Sequence, residues 1–368
     1  MKGFLRRLLQ RWRWWAASAL GLLLAAFLFA WSGIYNVAAS RGHWAVVEWT
    51  LSFVMRNSVE SRALLITAPA LDRPDMVLLG ANHFETGCAP CHGAPGKPPS
   101  PVAQSMLPSP PDLTGTSTRW KDRELFWIVM HGIKYTGMPA WVSQQRDDEV
   151  WAMVAFLKAL PGLKPDAYDD LVVDMRGAFG TFARSLSDDP QTTIARCSSC
   201  HGAAGYGPRS ALIPILHGQP AEFLASTLRS YAAGERQSGI MQPAANDLSD
   251  KAIERLSVFY AKLDPPVKAA VAVDAAALER GRILAQDGIA AAGIPPCLSC
   301  HGDEAAKDFP RLAGQNADYM TGRFEQWKAG HPVTSGTSAI MAPIAQRLTD
   351  RQIEDAVSYF ASQSEKRR

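Results

Sequence analysis

Cys88-Ala-Pro-Cys91-His92, Cys197-Ser-Ser-Cys200-His201 and Cys297-Leu-Ser-Cys300-His301 contain all six cysteines of the chain. A Cys-x-x-Cys-His run is the attachment signature of c-type haem. The two thiols add across the porphyrin vinyl groups as thioethers, and the adjacent histidine ligates the iron from the proximal side. A structural zinc site, a redox disulfide and a surface disulfide are the competing readings of a Cys-x-x-Cys pair. They weaken when the histidine recurs in all three copies and each copy is followed by glycine, at Gly93, Gly202 and Gly302. Three covalent haems would consume every cysteine and leave none for a disulfide or a catalytic thiolate. Covalent haem attachment belongs to the periplasmic or equivalent outer face of an energy-transducing membrane, so the chain is expected to cross one.

Around these motifs the chain has 368 residues, 47% of them hydrophobic, and a net charge of +3. That length suits two or three domains, and motifs spaced about 100 residues apart favour three. Five positive charges precede residue 14 and three close the chain, so the middle carries about −5. Nothing there resembles a nucleic-acid-binding surface, and the basic start is a membrane-topology signal. From Trp14 to Tyr35 no charge interrupts 22 residues, long enough to span a bilayer as a helix. Tryptophans stand at both ends, with Tyr35 at the outer one, as an aromatic belt requires. The positive-inside rule places residues 1–13 in the cytoplasm and the rest, beyond residue 36, outside. A cleaved signal peptide is the competing reading, with Val37-Ala38-Ala39 as its cleavage site. Residues 41–66 show helical spacing of Trp44, Val47, Leu51 and Val54. Such a helix would lie on the membrane, on a partner subunit or on the first haem unit. His43, alone in this segment, reads as a surface residue.

The three regions repeat beyond the motif. Each carries a Pro-x-Leu-x-Gly element: Pro111–Gly115, Pro214–Gly218 and Pro310–Gly314. Each then carries a methionine beside a proline: Met138-Pro139, Met241-Gln-Pro243 and Met341-Ala-Pro343. Nine residues on comes Asp147, Asp250 or Asp350, opening a helical pattern that ends in aromatics. The second and third units match most closely, as in Leu216-His-Gly-Gln-Pro-Ala-Glu-Phe223 and Leu312-Ala-Gly-Gln-Asn-Ala-Asp-Tyr319. The first has a Pro-rich insert and four tryptophans. Helices are expected to precede the motifs at Asp75–Thr86, Val172–Phe182 and Ala275–Ala285, and Phe84 is expected against the haem edge. Linkers fall near Pro161–Pro165 and Asp264–Val273.

A proximal histidine leaves one axial iron position. Thioether sulfur there favours the reduced state and raises the potential relative to a second histidine. Met138, Met241 and Met341 are the candidates, at equivalent places 46, 40 and 40 residues after their histidines. His131, His217 and His331 are the rivals, but none recurs between units. Met106, Met130, Met153 and Met320 read as core or surface. The proximal rings need a second-nitrogen partner, and Pro111, Pro214 and Pro310 are placed to offer carbonyls.

Residues 164–365 resemble two-domain cytochromes of the cytochrome c4 type. The resemblance rests on Cys297–Gly302, Phe309-Pro-Arg-Leu-Ala-Gly-Gln315, Tyr319, Met341 and Leu348-Thr-Asp350. Unit two departs at His217, where unit three has Ala313. Residues 70–162 look like a separate class I cytochrome c domain with Gly137-Met138-Pro139-Ala140-Trp141 as its methionine loop. The order is similar to cytochrome subunits of periplasmic dehydrogenases, although their membrane attachment usually lies elsewhere. The resemblance implies an all-α fold of three class I cytochrome c domains in tandem after one N-terminal transmembrane helix. The expected bounds are 1–35 for the basic end and anchor, 36–69 for a connecting helix, and 70–163, 164–267 and 268–368 for the domains. The expected role is electron transfer without a substrate site, in a single-pass inner-membrane protein with periplasmic haem domains. The expected partners are the membrane and a terminal oxidase or quinol-oxidising assembly. The alternative partner is a flavin or quinoprotein dehydrogenase, and a di-haem-type peroxidase would need an open iron.

Overall fold

In a computed structural model, residues 2–172, 190–203, 206–266, 274–302, 305–330 and 338–363 are described. The first helix, α1 (Lys2–Trp31), contains a stretch, Arg11–Trp31, long and apolar enough to cross a membrane, none of it buried against the protein. A turn at Gly33 leads to α2 (Ala45–Arg62). Trp44 packs on Phe29 and edge-on against Tyr35, so the aromatics at the end of α1 also set the angle to α2. His43 bonds the Tyr35 hydroxyl there. One end of α2 is anchored in the protein through fully buried Val59 and Ala63, while Val46, Trp49 and Phe53 face outward.

Unit one is built on α3 (Pro74–His83), which continues through a π-helical turn, Phe84–Cys88, into the motif, then α4 (Asp122–His131), α5 (Asp147–Ala159) and α6 (Pro165–Val172). Helices α3 and α5 cross at Gly80, where an added Cβ would stand 2.2 Å from the Ala152 carbonyl oxygen. Phe84, Phe156 and Tyr168 are fully buried and meet with ring centroids 5.0–6.3 Å apart. Phe84 is thus seated among protein aromatics at the heart of the unit. Tyr168 lies on α6, so this helix, which follows the expected boundary at residue 163, packs into the core of the first unit. The proline-rich start of α6 suggests a linker, but its buried tyrosine, bonded to Glu85, ties the helix to the unit before it.

Unit two contains α7 (Pro190–His201), α8 (Ala221–Ala232), α9 (Met241–Asn246) and α10 (Asp250–Ala261). Unit three contains α11 (Ala275–Asp287), α12 (Ala317–Lys328), α13 (Ser338–Arg347) and α14 (Asp350–Ser362). The expected helix over Val172–Phe182 lies, past Val172, outside the described residues, as does the Val267–Val273 part of the second linker. Helices α11 and α14 repeat the crossing of α3 and α5, with Gly281 at the contact. Each repeat aspartate begins its helix, and Ser249 and Thr349 cap α10 and α14 from the residue before. Among the described residues there is no strand.

The expected methionine loop is a loop only in unit one. Met241 opens α9 and Met341 lies inside α13. Pro243 falls in the first turn of α9, where its missing N–H has no intrahelical acceptor to lose, whereas Pro343 lies inside α13 and leaves the Ala339 carbonyl without its helical donor.

Candidate haem centres

Each motif histidine makes the same bond. The Nδ1 of His92 lies 2.9 Å from the Pro111 carbonyl oxygen, that of His201 3.0 Å from Pro214, and that of His301 2.7 Å from Pro310. A carbonyl only accepts, so Nδ1 carries the proton and Nε2 keeps its lone pair for a ligand. The repeated prolines therefore orient the three rings, as their spacing predicts. The turns that carry them differ. In units two and three the Pro-x-Leu-x-Gly glycines have φ of +71° and donate to the last helix, Gly218 to the Tyr260 carbonyl at 3.1 Å and Gly314 to Phe360 at 2.9 Å. In unit one, Asp112 caps a single helical turn, Leu113–Thr116, which contains Gly115.

The cysteines are half-buried free thiols. Burial pushes the Cys88 thiol up to about 12 and that of Cys197 to about 11. Among the described residues no group of three or more His, Cys, Asp or Glu side chains converges on a metal-sized site. Paired thiols beside an oriented imidazole with a free Nε2 fit a covalently held haem.

Met138, Met241 and Met341 are all half-buried. The Met138 loop is tied back to α4: its carbonyl accepts from the Ile133 N–H at 3.3 Å, and the Trp141 N–H donates to Met130 at 3.0 Å. Of the rival histidines, His217 is fully buried with Nε2 held 2.9 Å from the Ala203 carbonyl oxygen, and its ring meets Tyr260 edge-on. Its Nε2 is thus engaged, while its buried Nδ1 has no hydrogen-bond partner. His131 is exposed against Trp127. His331 lies outside the described residues.

Two sets of residues that sequence reading did not single out connect the centres. Between units two and three the contact is reciprocal. The Gln315 side chain accepts from the Ile215 N–H at 2.8 Å and donates to the Ile215 carbonyl at 3.0 Å. Gln219 does the same to Arg311, at 3.0 and 2.8 Å. Ile215 and Arg311 directly follow the prolines that hold His201 and His301. The two proximal loops therefore meet back to back across a pseudo-twofold axis. The recurrence of glutamine after Gly218 and Gly314 was the available signal. Replacing both glutamines by alanine leaves the four backbone groups across this contact unsatisfied and is expected to weaken docking of the two units by about 2–6 kcal/mol. Calorimetry should then resolve two transitions for these units where the wild type has one; a single unchanged transition would show that the glutamines do not couple them. The second set, around Glu149, joins units one and two and is taken up below.

Residues 76–157 match the family described as cytochrome C oxidase, cbb3-type, subunit III. The thiosulfate dehydrogenase electron acceptor of Thiomonas intermedia (strain K12) is 37% identical over 172 residues, 46% of this chain and 79% of that protein. Cytochrome c4 of Pseudomonas aeruginosa is 30% identical over 174 residues, 46% of this chain and 85% of that one. Among solved structures, cytochrome c4 of Acidithiobacillus ferrooxidans shares 29% identity over 45% of this chain and 98% of its own, with a TM-score of 0.40.

Proposed function

This chain belongs to the cytochrome c family, among the relatives of cytochrome c4, and is an electron carrier with covalent haem c; from that premise we propose a membrane-anchored carrier with three haems, each ligated by histidine and methionine. The recurring histidine-to-proline-carbonyl bond carries this reading, because it prepares three imidazoles for the same task. Cys88, Cys91 and His92 would hold the first haem with Met138. Cys197, Cys200 and His201 would hold the second with Met241, and Cys297, Cys300 and His301 the third with Met341. Bound haem supplies a reversible one-electron couple at its iron. The protein's part is to orient each histidine through a proline carbonyl, to bring each methionine near on α9, α13 or the Met138 loop, and to exclude water with the aromatic cores.

The proposed arrangement is a cytoplasmic end and anchor over 1–35, a connecting segment over 36–69 and three haem domains. The break between the first two domains lies after Val172, and that between the last two near residue 268. Helix α1 would be retained in the inner membrane with all three domains in the periplasm. The exposed Val46, Trp49 and Phe53 of α2 would lie at the lipid surface beside it.

The carrier is proposed to serve a respiratory complex, a terminal oxidase or a quinol-oxidising assembly, which the likeness of residues 76–157 to an oxidase subunit supports. A dehydrogenase is the second reading, supported by the relative named for thiosulfate dehydrogenase. Purification from native membranes in detergent tests both. Three haems per intact chain are expected, with oxidase or quinol-oxidising subunits co-purifying. A dehydrogenase subunit in their place would select the second reading. A soluble chain beginning after Ala39 would overturn the anchor, and fast, tight carbon monoxide binding after reduction would overturn full axial ligation.

A further inference from the structure

Glu149 stands in the first turn of α5 and is 4% exposed. Four donors converge on its carboxylate. Oε2 accepts from the Trp141 indole at 3.2 Å and from the Gly239 backbone N–H at 2.6 Å. Oε1 accepts from the Ser238 hydroxyl at 2.5 Å and from the Arg146 guanidinium at 2.8 Å. Two donors come from unit one and two from unit two.

Each side leads to a candidate axial methionine. Trp141 ends the loop that carries Met138. The Ser238 hydroxyl oxygen in turn accepts the N–H groups of Ile240 at 3.2 Å and Met241 at 2.9 Å, which fixes the turn into α9. The indole is held between the His83 ring, 4.8 Å away, and Gly239, where an added Cβ would lie 1.9 Å from the indole nitrogen. The two methionine segments therefore meet with backbone against ring, leaving no room for a side chain between them.

The haem unit itself does not need this carboxylate. Two residues after the repeat aspartate, unit two has Ala252 and unit three has Gln352, which only caps α14. A desolvated carboxylate persists where charge-assisted bonds satisfy it, and here that satisfaction exists only while both segments are in place.

We propose that Glu149 is a positioning residue shared by two centres: it locks the Met138 loop and the Met241 turn into one arrangement, so that axial ligation in units one and two is set jointly while unit three is independent. The proposal rests on the histidine–methionine reading given above. It is tested in the haem-loaded full chain by Glu149→Gln, which keeps the volume but turns an amide N–H toward donors. The readouts are a redox titration of the three centres and the sulfur-to-iron charge-transfer band of the ferric protein.

Glu149→Gln is expected to shift two midpoint potentials together and to weaken the band by as much as about two thirds, with the third centre unmoved. Trp141→Phe and Ser238→Ala, each removing one donor, should move the same two centres by less and leave the third in place, which a general loss of stability would not do. A shift at one centre, at none, or equally at all three overturns the proposal. Met138→Ala and Met241→Ala should each remove about a third of the band. A band that ignores both removes the ligand reading and the proposal with it; one that follows them but ignores Glu149→Gln removes the proposal alone.

Discussion

Cys297→Ser/Cys300→Ser is expected to yield a chain whose intact mass is lower by one haem and whose third unit has lost its cooperative unfolding transition. Serine cannot form a thioether, so His301 is left to hold the cofactor through its Nε2 without a covalent bond. The loss reaches the core directly. Cys297 and Leu298 pack on the cluster of Leu284, Ile294, Met320 and Phe360, so a haem attached there would border that core. A haem held by thioethers would stay attached in the unfolded chain, so it would stabilise the fold through the packing and iron ligation that only the folded state offers. Unit two should register the change as well, because Gln315 holds Ile215 and Gln219 holds Arg311. Mass spectrometry of the intact chain and haem quantitation give the answer. An unchanged haem mass would reject the third attachment site.

The second large effect is expected at the helix crossing of unit three. Gly281→Val places a Cβ 2.1 Å from the Asp355 carbonyl oxygen and 2.7 Å from the Tyr359 Cβ. Backbone cannot rotate away, so α11 and α14 must separate. Separation also strains the Arg280–Asp355 ion pair, which bridges the same helices at 2.7 and 2.8 Å. Two contributions oppose each other. Valine is a better helix former than glycine by a few tenths of a kcal/mol. Overpacking costs about 1–3 kcal/mol, and more where the obstacle is main chain. The clash wins, and we expect unit three to lose at least about 3 kcal/mol. Thermal unfolding followed by circular dichroism and haem absorbance measures it. A midpoint within error of the wild type would mean that the crossing relaxes freely. Gly80→Val should have the same consequence in unit one, where Ala152 is the obstacle.

Sequence reading succeeded wherever the chemistry is local to the chain. Five residues suffice to place two thiols and an imidazole, so Cys88–His92 and its two copies are readable without a fold. The prolines that orient the rings were readable because repetition marks equivalent places, and the three bonds to Nδ1 follow from one local turn. The helix starts at Asp147, Asp250 and Asp350 were readable for the same reason. The loop form expected around Met241 and Met341 failed, since a proline beside a methionine reads as a loop in sequence even where a helix carries it. The prolines near α6 mark a turn, and only the burial of Tyr168 shows which unit the helix packs against.

The sequence by itself determined the covalent haem chemistry, the recurrence of the motif and the helix starts, because each depends on neighbours within a few residues or on a recurring period. The tertiary structure decided how the units face one another. Units two and three join through the loops behind their proximal histidines, and units one and two join through their methionine segments around Glu149. No local pattern announces either contact. Gln219 and Gln315 look like ordinary turn residues and Glu149 like a solvated helix start, until the docking of two units removes water from them and their bonds must be met by the other unit.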